Sequence, residues 1–141
     1  MSTTSESVSA VAPGVGERRI VAAVEDLFFL AKIQETARQL GVHLTVAKTE
    51  DQILQLVQGE PAPTLIILDL NGSATKPLAV IAQLRKDPAL KKTSLVGFLS
   101  HLQADLKVQA QEAGCDLVMP RSAFSQNLPS LLRRHGLPEQ P

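Results

Sequence analysis

Residues 64–68 read TLIIL, five positions without a charge, and the run stops at an acid, Asp69. A strand that is apolar at every position has no wet face, so it belongs in a sheet covered on both sides rather than in a surface hairpin. The flanking sequence supplies that cover. From Arg18 onward, short β-branched runs alternate with longer segments whose apolar residues recur at helical spacing, the pattern of an α/β domain with a parallel sheet.

Residues 20–24 (IVAAV) form a first strand closed by Glu25 and Asp26. Leu27, Leu30, Ile33, Ala37 and Leu40 make the stripe of a first helix, and Gly41 is placed to end it in the left-handed conformation. Residues 43–47 (HLTVA) read as a second strand. Thr49 then caps a short helix carrying Ile53, Leu54 and Val57, which Gly59 and Pro61 end. Asn71, Gly72 and Ser73 turn the chain after the central strand, and a third helix follows Pro77 with Leu78, Ile81, Ala82 and Leu84, ending near Pro88. Residues 94–99 (SLVGFL) are a fourth strand leading to Ser100 and His101. Leu102, Leu106, Gln109, Ala110 and Ala113 mark a fourth helix stopped by Gly114. Residues 116–119 (DLVM) are a short fifth strand before Pro120 and Arg121, and the last helix runs from about 125 to 134 with Pro129 in its first turn, where the missing N–H costs little. The sum is a doubly wound, five-stranded parallel sheet with one core.

The 141 residues suit a single domain. Residues 1–17 carry almost no large apolar side chain to offset the entropy of ordering and read as a disordered tail; residues 18–135 make the domain, and 136–141 a C-terminal tail. Lys plus Arg equals Asp plus Glu at 14 each, so no basic excess exists to neutralise nucleic-acid phosphates, and the absence of Trp and Tyr removes an aromatic platform for bases. Cys115, alone and without an adjacent His, reads as a buried, inert thiol. No basic start followed by an apolar run marks a signal peptide, and no window nears the roughly 20 apolar residues of a membrane span, so a cytoplasmic location without membrane contact is the expectation.

Ligands of an open parallel sheet bind outside the carboxyl ends of its strands. Those ends carry Glu25 and Asp26, then Asp69, Ser100 and Arg121. Each alone is as well explained as a helix cap. Together, in this order at one edge, they point to a phosphate site, where three mutually repelling carboxylates are compensated by a hard cation such as Mg²⁺.

On these residues the chain, over 19–134, resembles the receiver domains of bacterial response regulators, of the stand-alone chemotaxis type. The resemblance implies a flavodoxin-like (βα)5 fold with strand order 2-1-3-4-5. It implies Mg²⁺ held by Glu25, Asp26, Asp69 and the backbone carbonyl of Asn71, and Asp69 as acceptor of a phosphoryl group from a histidine kinase or phosphotransfer protein. Ser100 and Arg121 would contact the phosphoryl group, Arg121 standing where the family has lysine. The output would be a contact with a downstream protein made by the helix-four, strand-five and helix-five face; such a domain is a phosphoacceptor rather than an enzyme.

The pattern is incomplete. Arginine is a planar fork where the family uses a compact ammonium. Val118 stands where an aromatic toggle is usual, His101 where a very small residue is preferred, and Gly72 with Ser73 in place of Met-Pro implies a more flexible loop. These departures keep a second class of function open, a pseudo-receiver that works as an interaction module without phosphorylation. A flavodoxin-like cofactor binder is disfavoured because the loop after the first strand is acidic, and a serine hydrolase because Ser100 lacks the GxSxG turn.

Overall fold

The computed structural model describes residues 18–100 and 103–138. Five strands, β1 (Ile20–Ala23), β2 (Leu44–Ala47), β3 (Leu65–Asp69), β4 (Ser94–Leu99) and β5 (Leu117–Pro120), form one parallel sheet in the order β2-β1-β3-β4-β5. They are connected and followed by α1 (Leu27–Leu40), α2 (Glu50–Leu56), α3 (Pro77–Arg85), α4 (Ala104–Ala113) and α5 (Arg121–Gly136), with a 3₁₀ turn at Pro88–Leu90. The doubly wound architecture and its strand order are those expected. The N-terminal tail, residues 139–141 of the C-terminal tail, His101 and Leu102 lie outside the described residues.

Side chains alternate along a strand, so each inner strand feeds two cores. On one face Ile20, Ala22, Leu65, Ile67 and Phe98 pack under Ile33 and Ala37 of α1 and Phe124, Leu128 and Leu132 of α5. On the other, Val21, Ile66, Leu68 and Leu95 meet Ile53 of α2, Val80 and Ile81 of α3, and Ala110 of α4. Cys115 is buried in this second core, its Sγ 3.3 Å from the carbonyl oxygen of Leu95, and burial pushes its pKa up.

The helix boundaries follow local chemistry. Asp26 caps α1, Gly41 ends it at φ 72°, and Thr49 accepts from Gln52 N to cap α2. α2 stops at Leu56, short of Gly59, and its terminal carbonyls are met by a side chain from before β1. The Arg19 guanidinium donates to the carbonyls of Leu56 (2.6 Å), Pro61 (2.7 Å) and Gln58 (3.2 Å), and burial lowers its pKa. Arg19→Ala is expected to lower the unfolding free energy by about 1.5 kcal/mol, the low end for hydrogen bonds from a charged group because the side chain is only partly buried. A urea midpoint equal to that of the wild type would contradict this.

Two expectations are corrected. α5 begins at Arg121, not near Ser125, so Pro129 stands inside the helix rather than in its first turn. Pro120, at φ −62° and ψ 155°, directs the chain straight into the helix. An interior proline costs about 3 kcal/mol. Phe124, Leu128 and Leu132 are all fully buried on both sides of it, each contributing about 1.5–3 kcal/mol, and together they outweigh that cost. The helix also continues through Gly136, where a Cβ would meet Val42 Cγ1 at 2.3 Å. The second correction concerns Leu27. It is 66% exposed, and Phe29 takes the place it was given on the buried stripe, because the cap at Asp26 sets the helix phase so that Phe29, Leu30, Ile33 and Ala37 face the sheet.

Candidate functional site

The register pairs Asp69 with Phe98 and Leu99 with Pro120, so Asp69, Ser100 and Arg121 emerge at one edge of the sheet. The strand order reverses between β1 and β3, and the crevice of such a sheet opens at that reversal. Glu25 and Asp26 follow β1 and Asp69 ends β3, so the acids flank this point.

Asp69 is 4% exposed, and its Oδ1 accepts from Asn71 N at 3.1 Å. Asn71 works through its side chain: Oδ1 accepts from Ser100 N at 2.7 Å and Nδ2 donates to Gln103 Oε1 at 2.8 Å. One amide thus ties the loop after β3 to the segment after β4. Gln103 and this strap have no signal in the sequence, since an amide finds its partners only once two loops are brought together.

Glu25 turns toward the loop after β3. Its Oε2 accepts from both N (3.1 Å) and Oγ1 (3.2 Å) of the fully buried Thr75. The carboxylate lies so close to Gly72 that a Cβ there would sit 2.4 Å from Oε2. Glycine at this position therefore serves close approach rather than the flexibility expected of it. The same loop is braced by Gly72 N donating to Asp69 O (3.1 Å) and Glu50 N donating to Ala74 O (3.2 Å).

Asp26 does two things. Oδ1 accepts from Phe29 N at 3.0 Å, the capping role, while Oδ2 lies 3.0 Å from Arg121 Nη2. The guanidinium carbon stands 5.4 Å from the ring centroid of Phe29, and Arg121 Nε is buried without a hydrogen-bond partner. A cation over an aromatic face gains about 0.5–1 kcal/mol or more once desolvated. Phe29 in turn packs on Phe98 (centroids 4.7 Å) and Phe124 (5.7 Å), so the arginine is seated on the aromatic centre of the first core. Phe29 and Thr75 are site residues that the strand-end pattern does not reveal. Val118, at the position of the missing aromatic, is buried in the second core.

Each carboxylate at this edge already has a partner within the chain. Glu25 is bound to Thr75, Asp26 to Phe29 N and Arg121, and Asp69 to Asn71 N. Among the described residues no three His, Cys, Asp or Glu side chains come together as a metal shell needs. In this arrangement the cation facing Asp26 is Arg121.

No protein-family model matches the chain, and no curated protein does. Solved structures match it over most of its length. A putative response regulator from Chloroflexus aurantiacus superposes with a TM-score of 0.73 at 15% identity, covering 84% of this chain and 96% of that one. The phosphorylated cyanobacterial phytochrome response regulator RcpA gives 0.72 at 18%, covering 84% and 94%. The Mn²⁺-bound form of the response regulator Rcp1 gives 0.70 at 18%, covering 88% and 99%. The fold is that of response-regulator receiver domains. Among the described residues no helix is long and apolar enough to cross a membrane.

Proposed function

We propose that this chain is a receiver-type signalling module that acts by protein contact in trans, with Asp26 of its acidic edge held by its own arginine, Arg121, so that output does not require phosphorylation. The observation that carries the reading is the Arg121–Asp26 pair, 3.0 Å apart and seated on Phe29. Arginine is charged at every physiological pH, so the compensation it supplies is permanent. The contact surface in this reading is the face of α4, β5 and α5. Val108 and Leu117 are 49% and 45% exposed there, and a cavity of about 280 Å³ between β5 and α5 is lined by Leu117, Met119 and Leu131 together with Asn127, Ser130 and Arg134, a mixed surface that a protein partner can cover.

A second reading is favoured by the emergence of Asp69 and Ser100 at one edge of the sheet. In it a histidine kinase or phosphotransfer protein presents a phosphohistidine. A carboxylate oxygen of Asp69 attacks phosphorus in line, the P–N bond breaks, and the imidazole leaves with the electron pair, giving an acyl phosphate. The Ser100 hydroxyl donates to a phosphoryl oxygen, and Arg121 leaves Asp26 for the new dianion.

The test is the intact mass of the wild type and of Asp69→Asn after incubation with acetyl phosphate, with and without Mg²⁺. The first reading expects no adduct under conditions that fully modify an ordinary receiver. A Mg²⁺-dependent phosphoryl adduct that Asp69→Asn abolishes establishes the second.

A further inference from the structure

At the opposite edge of the sheet, where β3 and β4 begin and α5 ends, lies the largest of the cavities described, about 530 Å³. Its lining includes Arg18, Lys92, Arg134 and His135 and, among the described residues, no acidic one. The chain as a whole has no net charge, so this concentration is local. Basic residues in the last turn of a helix ordinarily complement its dipole, which accounts for Arg134 and His135. It does not account for Arg18, which precedes β1, or for Lys92, which comes from the connection between α3 and β4; the fold brings these in from elsewhere.

Among the described residues neither Lys92 nor Arg134 forms an ion pair. The pKa of His135 is lowered, first by burial and then by the charges of Arg134 and Arg18, so its neutral form is favoured beside the two arginines. Hydrogen bonds tie together the backbone around them. Thr64 Oγ1 donates to the carbonyl of His135 (2.5 Å), Thr93 Oγ1 to that of Pro63 (2.6 Å), and Arg18 Nη1 to that of Arg134 (2.8 Å). The remaining wall is apolar, formed by Ala62, Pro63 and Ala89.

We infer that this cavity is a binding site for a phosphorylated small molecule, its phosphate held by Lys92 and Arg134 and its organic part against Ala62, Pro63 and Ala89. The volume lies within the roughly 300–1,000 Å³ of pockets that hold small organic ligands. Arginine and lysine are the groups that recognise phosphate through charge-assisted hydrogen bonds. The site is independent of Asp69 and of either reading of the acidic edge.

The experiment is a backbone-amide NMR titration of the full chain at low ionic strength with adenosine 5′-monophosphate, inorganic phosphate and adenosine as probes. Expected are saturable shifts centred on Thr64, Ser94 and His135 with the monophosphate, weaker ones with inorganic phosphate, and none with adenosine. The double variant Lys92→Gln/Arg134→Gln, both side chains being exposed, should keep the urea midpoint and weaken monophosphate binding at least tenfold. Shifts that do not saturate, that are equal in the double variant, or that scatter over lysines and arginines throughout the chain overturn the proposal.

Discussion

Phe98→Ala is expected to lower the unfolding free energy by about 3–5 kcal/mol, the cost of truncating a fully buried aromatic residue. Phe98 packs against Phe29 at 4.7 Å and Phe124 at 5.0 Å, so its ring joins β4 to both α1 and α5. Each aromatic pair adds about 0.5–1.5 kcal/mol beyond area burial. Neighbouring side chains cannot collapse into the space, because Leu65 and Ile67 of β3 are fixed by the sheet and Leu128 and Leu132 by the helix. Against a total stability of about 5–15 kcal/mol for an ordinary domain, the loss is a large fraction. The chain has no Trp or Tyr, so the measurement is urea unfolding followed by far-ultraviolet circular dichroism. A midpoint within error of the wild type would mean that the three rings do not hold the first core.

The second large effect concerns the acidic edge. In Arg121→Gln the positive charge 3.0 Å from Asp26 is removed while Glu25, Asp26 and Asp69 remain beside the crevice. Like charges without a counter-ion attract a hard divalent cation. Mn²⁺ affinity, followed by calorimetry, is therefore expected to rise at least tenfold over the wild type. The gain should vanish again in Arg121→Gln/Asp26→Asn. Stability should fall by about 1 kcal/mol, the low end for a polar partner left unpaired, since Asp26 is partly exposed and water takes up some of the lost interaction. Unchanged Mn²⁺ affinity in the single variant would show that Arg121 is not the counter-ion of this site, and would remove the main support for output independent of phosphorylation.

The two predictions probe one structure from opposite sides. The ring cluster that Phe98 completes includes Phe29, on which the Arg121 guanidinium rests. A disturbance of the core therefore reaches the arginine, and Phe98→Ala should also alter the response of the acidic edge to Mn²⁺. α5 carries Arg121 at its start and the buried Phe124, Leu128 and Leu132 further along.

How much of this was legible in the chain depends on the range over which each signal acts. β4 runs over Ser94–Leu99 as read, α1 spans Leu27–Leu40 with Gly41 beyond it, and Thr49 caps α2. Strand burial, capping and glycine termination act within a few residues, and the alternation of such elements leaves little choice but a parallel sheet with helices on both faces. The start of α5 was misjudged for a related reason. Pro129 is a strong local cue for a first turn, and only packing of Phe124 and Leu128 against the sheet overrides it.

The strand-end acids were equally visible, but not what each of them holds. Glu25 is bound to Thr75 and Asp26 to Arg121, and the neighbouring amide of Asn71 to Gln103, pairs far apart in the chain that meet only after the sheet has closed. The basic cavity at the other edge has the same origin, since Arg18, Lys92 and Arg134 share no local pattern. Periodicity and caps, which are local, determined which elements form and which charges stand at their ends. The choice of partner for each charge belongs to the tertiary structure, because a carboxylate or a guanidinium satisfies itself with whichever donor, acceptor or ring the fold delivers within about 3–6 Å.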